Sequence, residues 1–280
     1  MEKSKPDKFK RWMIASFFLI PLVLFGTVLG TLCVYHFYRP TKIKILIKLL
    51  CYGRTRWWAH NRICVEGEKA VPYLIQGLGN KNPEVKAGLA EVLRYFASAG
   101  IEAEEAIPKL IELLSDKDMS VRSAAASALG DFADKRAVPG LIKLLSDPEH
   151  NVRNSAAHAL GRIAPHEAVE PLIQTLSDPE LFVRETAAEA LSKIGSHKAV
   201  GPLIACLEQE SPPGLMPGRW GTFRNRVVEA LETITGRSFG KLYEAPTDAQ
   251  RQEIIHKWLE WWQENKDQYE ARRKSKHKAA

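Results

Sequence analysis

The feature that most constrains this chain is that it repeats itself. Three consecutive stretches begin at Ala106, Ala137 and Ala168, 31 residues apart. They read "AIPKLIELLSDKDMSVRSAAASALGDFA", "AVPGLIKLLSDPEHNVRNSAAHALGRIA" and "AVEPLIQTLSDPELFVRETAAEALSKIG". Inside each unit the apolar spacing is helical. In the unit from Ala137, Leu141, Ile142, Leu144 and Leu145 mark one helix, and Val152, Ala156, Ala159, Leu160 and Ile163 mark a second. Between them "SDPEHN" is turn chemistry: Asp147 and Pro148 stop the first helix, and Asn151 is placed to cap the second. Pro139 suits the first turn of its helix, where no backbone N–H is needed. Each unit is therefore a helical hairpin. One hairpin cannot bury its apolar faces alone, whereas stacked copies share one continuous core.

The second helices are rich in alanine ("SAAASALG", "NSAAHALG", "ETAAEALS"), so neighbouring helices can approach closely. The pattern "AVPxLIxxLSDPxxxVRxxAAxALGxI" resembles HEAT repeats of the short, phycobilisome-lyase-like type. That resemblance implies an all-α fold: a right-handed α-solenoid of about five HEAT-like hairpins, here preceded by a single transmembrane helix. Weaker copies start at Ala70, with a five-residue extension before the next unit, and at Ala199. In such repeats the Asp of "SD" and the Arg of "VR" resemble the residues of a ladder between neighbours. Here these are Asp116, Asp147 and Asp178 with Arg122, Arg153 and Arg184. The first copy departs, with Asn80 and Lys86 in those places, and its rung is in doubt.

Ahead of the repeats, Met13–Tyr35 runs for 23 residues without a charge. A helix of that length reaches ~35 Å, enough to cross a ~30 Å hydrocarbon core. Trp12 at one edge and Tyr35, Phe37 and Tyr38 at the other match an interfacial aromatic belt. The expectation is a single-pass membrane helix over 12–38, after a basic flank at 1–11. The rival, a signal peptide cleaved before Thr31, requires an apolar region longer than is usual. Basic residues flank both ends almost equally, so charge leaves open which side of the membrane holds the repeats. Gly26 and Gly30 form a GxxxG spacing, which permits a weak transmembrane dimer and equally describes two small residues with no partner.

Charge argues in the same direction. Residues 1–66 hold 12 Lys/Arg against 3 Asp/Glu, 271–280 hold 5 against none, and 67–270 hold 23 against 30. A basic total thus conceals an acidic body between basic ends. Nucleic acid would need positive charge on the folded face, whereas basic flanks beside an apolar span suit anionic lipid headgroups. Residues 39–66 read either as a juxtamembrane interfacial segment or as a degenerate capping hairpin, since "LIKLL" occurs at both Leu46–Leu50 and Leu141–Leu145. The repeats occupy 67–236. Residues 237–270 form a capping region with a capping box from Thr247 to Gln250 and a stripe of Trp258, Trp261 and Trp262. A basic tail covers 271–280.

No constellation for chemistry emerges. "GRSFGKL" at Gly236–Leu242 lacks the spacing and the Ser/Thr of a P-loop, and "HEAVE" at His166–Glu170 lacks the second His of a zincin. HEAT-type deoxyhypusine hydroxylases carry His-Glu pairs early in their second helices. Here those places read Ser123-Ala124, Asn154-Ser155 and Glu185-Thr186, so the resemblance transfers no iron site. The sequence suggests no metal and no cofactor. The candidate recognition residues are a column on the second helices, Glu91, Ser127, His158, Glu189 and Glu229, expected on the concave side and suited to a basic segment of a protein. A second candidate is Arg219 with Trp220, expected in an insertion between the last two repeat helices. The resulting expectation is a membrane-tethered, non-catalytic HEAT-repeat scaffold or adaptor. The alternative is a bilin lyase- or isomerase-type enzyme or enzyme-associated subunit, implied by the lyase-like resemblance alone.

Overall fold

The computed structural model describes residues 42–50, 53–209, 217–245 and 247–277. The expected membrane helix at 12–38, Gly26 and Gly30 among its residues, lies outside them. Among the described residues no helix is long and apolar enough to cross a membrane.

Helix α1 spans residues 42–49. Helix α2 is Gly53–Glu66. Five hairpins follow, each a short first helix and a longer second one: α3 (Val71–Gly77) with α4 (Pro83–Ser98), α5 (Ile107–Leu113) with α6 (Met119–Phe132), α7 (Val138–Leu144) with α8 (His150–Ile163), α9 (Val169–Thr175) with α10 (Leu181–Ile194), and α11 (Val200–Glu208) with α12 (Pro217–Thr235). A long α13, Asp248–His277, ends the order and runs past the expected boundary at 270. The described chain is an all-helical array of stacked repeats.

Second helices pack on one another in chain order, α4 on α6, α6 on α8, α8 on α10 and α10 on α12. First helices chiefly contact the second helices of their own hairpins. The reason is side-chain size. A Cβ placed on Gly130 would sit 2.7 Å from the Cα of Ala159, and one on Gly161 would sit 2.9 Å from the Cα of Ala190. Those contacts meet backbone, so α6, α8 and α10 approach as closely as bare chain permits. The seams are apolar: Ala125, Ala128, Ala156, Ala159 and Ala187 are all buried.

The ladder is present and is two-pronged. Arg122 donates from Nε and Nη2 to the two carboxylate oxygens of Asp147, both at 2.8 Å. Its Nη1 donates to the Asp116 and Lys117 carbonyls at 2.9 and 3.0 Å. One repeat later Arg153 holds Asp178 at 2.6 and 2.9 Å and its own loop carbonyls, Asp147 and Pro148, at 3.0 and 3.1 Å. Each Asp also accepts a backbone N–H two residues on: Glu149 onto Asp147 at 3.0 Å, Glu180 onto Asp178 at 2.9 Å. One side chain thus ties its own turn and clamps the next. The doubtful first rung is made, because Lys86 Nζ reaches Asp116. At the far end Arg184 lies over the Phe223 ring, 5.5 Å from its centroid. Arg224, in the same column, donates to the Gln209 carbonyl at 2.6 Å.

The helix ends differ from expectation in one respect. Asn151 lies inside α8, and the N-cap position belongs to Glu149, whose side chain makes no capping bond. The Asp147 carboxylate organises that turn instead. In α4 and α6 the cap residues do bond: Asn82 accepts from Glu84 N–H at 2.9 Å and Asp118 from Ser120 N–H at 2.8 Å. Helices α6, α8 and α10 each end on a left-handed residue, Ala133, Ala164 and Gly195, with φ of 53°, 51° and 68°. Only glycine adopts that conformation without strain.

Both ends of the array are covered. Ile43, Leu46, Ile47 and Leu50 of the α1 segment are buried, and a Cβ placed on Gly88 would lie 3.3 Å from Leu50 Cβ. Lys42 Nζ meets Glu66 Oε1 at 2.8 Å, joining the start of α1 to the end of α2. At the other end α13 packs on α11. Trp258 is fully buried, edge-on to Phe239 at 4.9 Å, and Trp262 rests against Gly201. The capping box forms, with Thr247 Oγ1 and Gln250 Oε1 serving each other's backbone N–H at 3.3 and 3.2 Å.

Candidate interaction surface

The residues expected to form a column all lie on second helices. Glu91 and His158 are exposed, and Ser127, Glu189 and Glu229 are half-buried at the edges of the helix seams. Each sits on a different second helix, α4, α6, α8, α10 and α12 in turn. His158 feels the charges of Lys193, Arg162, Glu189 and Asp131, and Glu189 feels those of Lys193, Arg226 and His158. His158 and Glu189, on adjacent second helices, therefore share one electrostatic neighbourhood.

The set is of mixed charge. Glu189 pairs with Lys193 at 2.8 Å and Glu229 with Arg226 at 3.0 Å, each on its own helix. Arg162 on α8 reaches Asp131 on α6 at 3.0 Å, and Asp131 also accepts the Ser98 hydroxyl from α4 at 2.8 Å. The Lys193 hydrogen bond holds the Glu189 carboxyl below the usual glutamate range. Desolvation by the helices packed around it, with Lys193 and Arg162 nearby, holds His158 below the usual histidine range although its side chain reaches solvent. Such a set offers donors and acceptors to a ligand.

A second set of polar residues was not singled out by the repeat pattern. The places where the hydroxylases carry iron ligands hold bonds between neighbouring second helices. Ser123 and Ser155 meet at 2.8 Å, Thr186 donates to Asn154 at 2.7 Å, and Thr222 donates to Glu185 at 2.6 Å. Ser123 to Ser155 and Asn154 to Thr186 each span 32 residues, one more than the period. Among the described residues no group of three or more His, Cys, Asp or Glu is placed to hold a metal ion.

Arg219 and Trp220 do not lie in an insertion loop. Helix α12 begins at Pro217, so both belong to its first turn. Proline is favoured at a helix start, and Pro217 marks the boundary. The side chains of Arg219 and Trp220, and residues 210–216 before them, lie outside what is described. Phe223, three residues past Trp220, is fully buried. The cysteine thiols that are described, Cys64 and Cys206, are free, and burial pushes each up to about 11.

A profile of HEAT repeats matches residues 71–160 and again 138–215. The chain belongs to the HEAT-repeat family. The two matches together span α3 through α11, so they cover the stack and its ladder and stop short of both ends. No curated protein matches this HEAT array. An engineered protein of known structure is 24% identical, with a TM-score of 0.49 over 69% of this chain and 96% of its own. The complex of CpcE and CpcF of phycocyanin lyase from Nostoc sp. PCC7120 is 23% identical, with a TM-score of 0.49 over 59% of this chain and 64% of that one. A designed armadillo repeat protein, solved with the peptide (KR)4, is 20% identical, with a TM-score of 0.48 over 69% and 91%. Likeness at this level transfers neither an activity nor a ligand.

Proposed function

We propose that this HEAT array is a non-catalytic interaction scaffold, held at a membrane by residues 12–38, that presents its second-helix face to a protein partner. The observation that carries the reading is the strip from Glu91 to Glu229. It crosses five second helices fixed in register by buried seams and by the arginine ladder. A surface so constrained loses little conformational entropy when it binds, and solenoids recognise partners through their concave faces. The partner fitting the strip is an extended or helical protein segment carrying basic groups for Glu91, Glu189 and Glu229. Those groups must displace Lys193 and Arg226 from Glu189 and Glu229, so binding weakens as salt rises. The tether rests on the uncharged run at Met13–Tyr35 and its basic flanks.

Proximity labelling in the native cell tests the scaffold. The array is compared with a variant carrying Glu91→Lys, Glu189→Lys and Glu229→Lys. Loss of specific labelled proteins from the variant supports the strip as the recognition face. An unchanged labelled set refutes it.

A further inference from the structure

Helix α2 turns an apolar face to solvent that the other described residues leave uncovered. Trp57 is 76% exposed, Trp58 50% and Val65 76%. On the opposite side Ala59 and Ile63 are fully buried. At 100° per residue, Trp57, Asn61, Val65, Trp58 and Arg62 fall within an arc of about 140°. The outer face of α1 is similar, with Ile45 52% exposed beside exposed Lys44 and Lys48. Aromatic and aliphatic side chains interleaved with lysine and arginine are the chemistry of a helix lying in a membrane interface.

Two further facts indicate what covers this face. Residues 42–65 contain no Asp or Glu but carry Lys42, Lys44, Lys48, Arg54, Arg56 and Arg62. The next acidic residue after this stretch, Glu66, is engaged by Lys42. The uncharged run ends at Tyr35, and the seven steps to residue 42 reach at most ~25 Å even when extended. The hairpin thus cannot move far from the place where that run leaves a bilayer.

We propose that α1 and α2 lie on an anionic phospholipid surface. Trp57, Trp58 and Val65 enter the boundary between headgroups and acyl chains, and Lys44, Lys48 and Arg62 meet the headgroup phosphates. The inference rests on the tether proposed above and goes beyond it. It makes the first hairpin a bracket that fixes the angle of the array to the membrane, where a tether alone would let the array swing.

The test uses the full chain in a Trp12→Phe background, so that the other edge of the apolar run does not report. The chain is reconstituted into vesicles of phosphatidylcholine, alone or mixed with phosphatidylglycerol, carrying lipid brominated near the carbonyl end of its acyl chains. Bromine quenches tryptophan only on contact. The expected result is quenching in anionic vesicles, weaker quenching in neutral ones, and loss of that quenching in the Trp57→Phe/Trp58→Phe variant with its helical circular dichroism unchanged. Absence of quenching in both lipids, or quenching that survives in the double variant, overturns the proposal. Equal quenching in the two lipids overturns the headgroup contact. Flotation of the vesicles after an alkaline wash reads the tether separately. A chain that floats without quenching refutes the bracket alone, and one that does not float refutes both.

Discussion

The Arg122–Asp147 rung gives the sharpest test of how the array holds together. Replacing Asp147 with Ala removes both charge-assisted bonds from Arg122 and the acceptor for the Glu149 N–H. The paired side chains are 12% and 7% exposed, so this is not a surface pair worth ~0–1 kcal/mol. Breaking a buried pair by removing one partner costs about 3–5 kcal/mol. Arg122 keeps its Nη1 bonds to two loop carbonyls, which favours the low end of that range. The expected loss is therefore about 3 kcal/mol. Urea unfolding followed by far-ultraviolet circular dichroism measures it, and a double-mutant cycle with Arg122→Ala isolates the pair, with coupling of about 2 kcal/mol. Asp147→Asn, which keeps an acceptor for the Glu149 N–H but loses the charge, should fall between wild type and Ala. Asp178→Ala removes the same geometry one repeat on, with exposures of 12% and 6%, and serves as an internal replicate. A loss below about 1 kcal/mol at both positions would show that the rungs behave as surface pairs and that the seams alone hold the stack.

Three other outcomes are expected. Ala133→Gly and Ala164→Gly each relieve a left-handed alanine worth ~1–2 kcal/mol against ~0.5–1 kcal/mol of added chain entropy, so each should raise stability by about 0.5 kcal/mol; a loss at both positions would contradict the strain argument. Gly130→Ala drives a methyl against the Ala159 backbone and should cost about 1–3 kcal/mol in the same unfolding assay, whereas Gly100→Ala meets no neighbour and should cost only its left-handed backbone strain less the entropy gain, about 0.5 kcal/mol. Stability should also fall with acid. Hydrogen bonds from Ser120 and from Arg136 hold Asp118 and Asp134 low, and at Asp116 burial pushes upward but the bonds from Lys86 and the Asp118 N–H outweigh it. With folded values below the ordinary ~3.9, the unfolded chain binds more protons, so the contribution is complete above about pH 5 and fades as pH falls towards 2. A urea midpoint unchanged between about pH 6 and pH 3 would count against it.

The fold was legible because its causes recur at a fixed interval. Alanine-rich second helices, Pro139 at a helix start and the Asp–Arg columns each appear in several copies, and a repeated signal survives local exceptions. Lys86 shows such an exception: it lacks the arginine fork, yet its ammonium reaches Asp116 because the position, rather than the residue type, sets the direction of the side chain. The bonds between second helices were not legible. A column of equivalent positions suggests contacts at the period itself, whereas Ser123 meets Ser155 and Asn154 meets Thr186 one residue further on. Equivalent positions point the same way on every helix, so a bond between neighbours joins non-equivalent positions on their facing flanks, here i and i+32. The charge of the strip was half legible. Glu91, Glu189 and Glu229 stood out in the column, but Lys193 and Arg226 sit one turn away on the same helices, outside it. The start of α12 was misplaced because the glycines and prolines before Phe223 signal a loop, while Pro217 among them is a helix starter.

The rungs are interchangeable parts. Every internal unit offers a carboxylate to the unit before it and a guanidinium to the unit after it. A duplicate of residues 137–167 spliced in behind the original would find both of its joints already cut to fit. The two ends have no such freedom, since Trp262 is seated on Gly201 and Leu50 against Gly88. The repeat array is therefore most simply lengthened from within, each added copy leaving its two closures untouched.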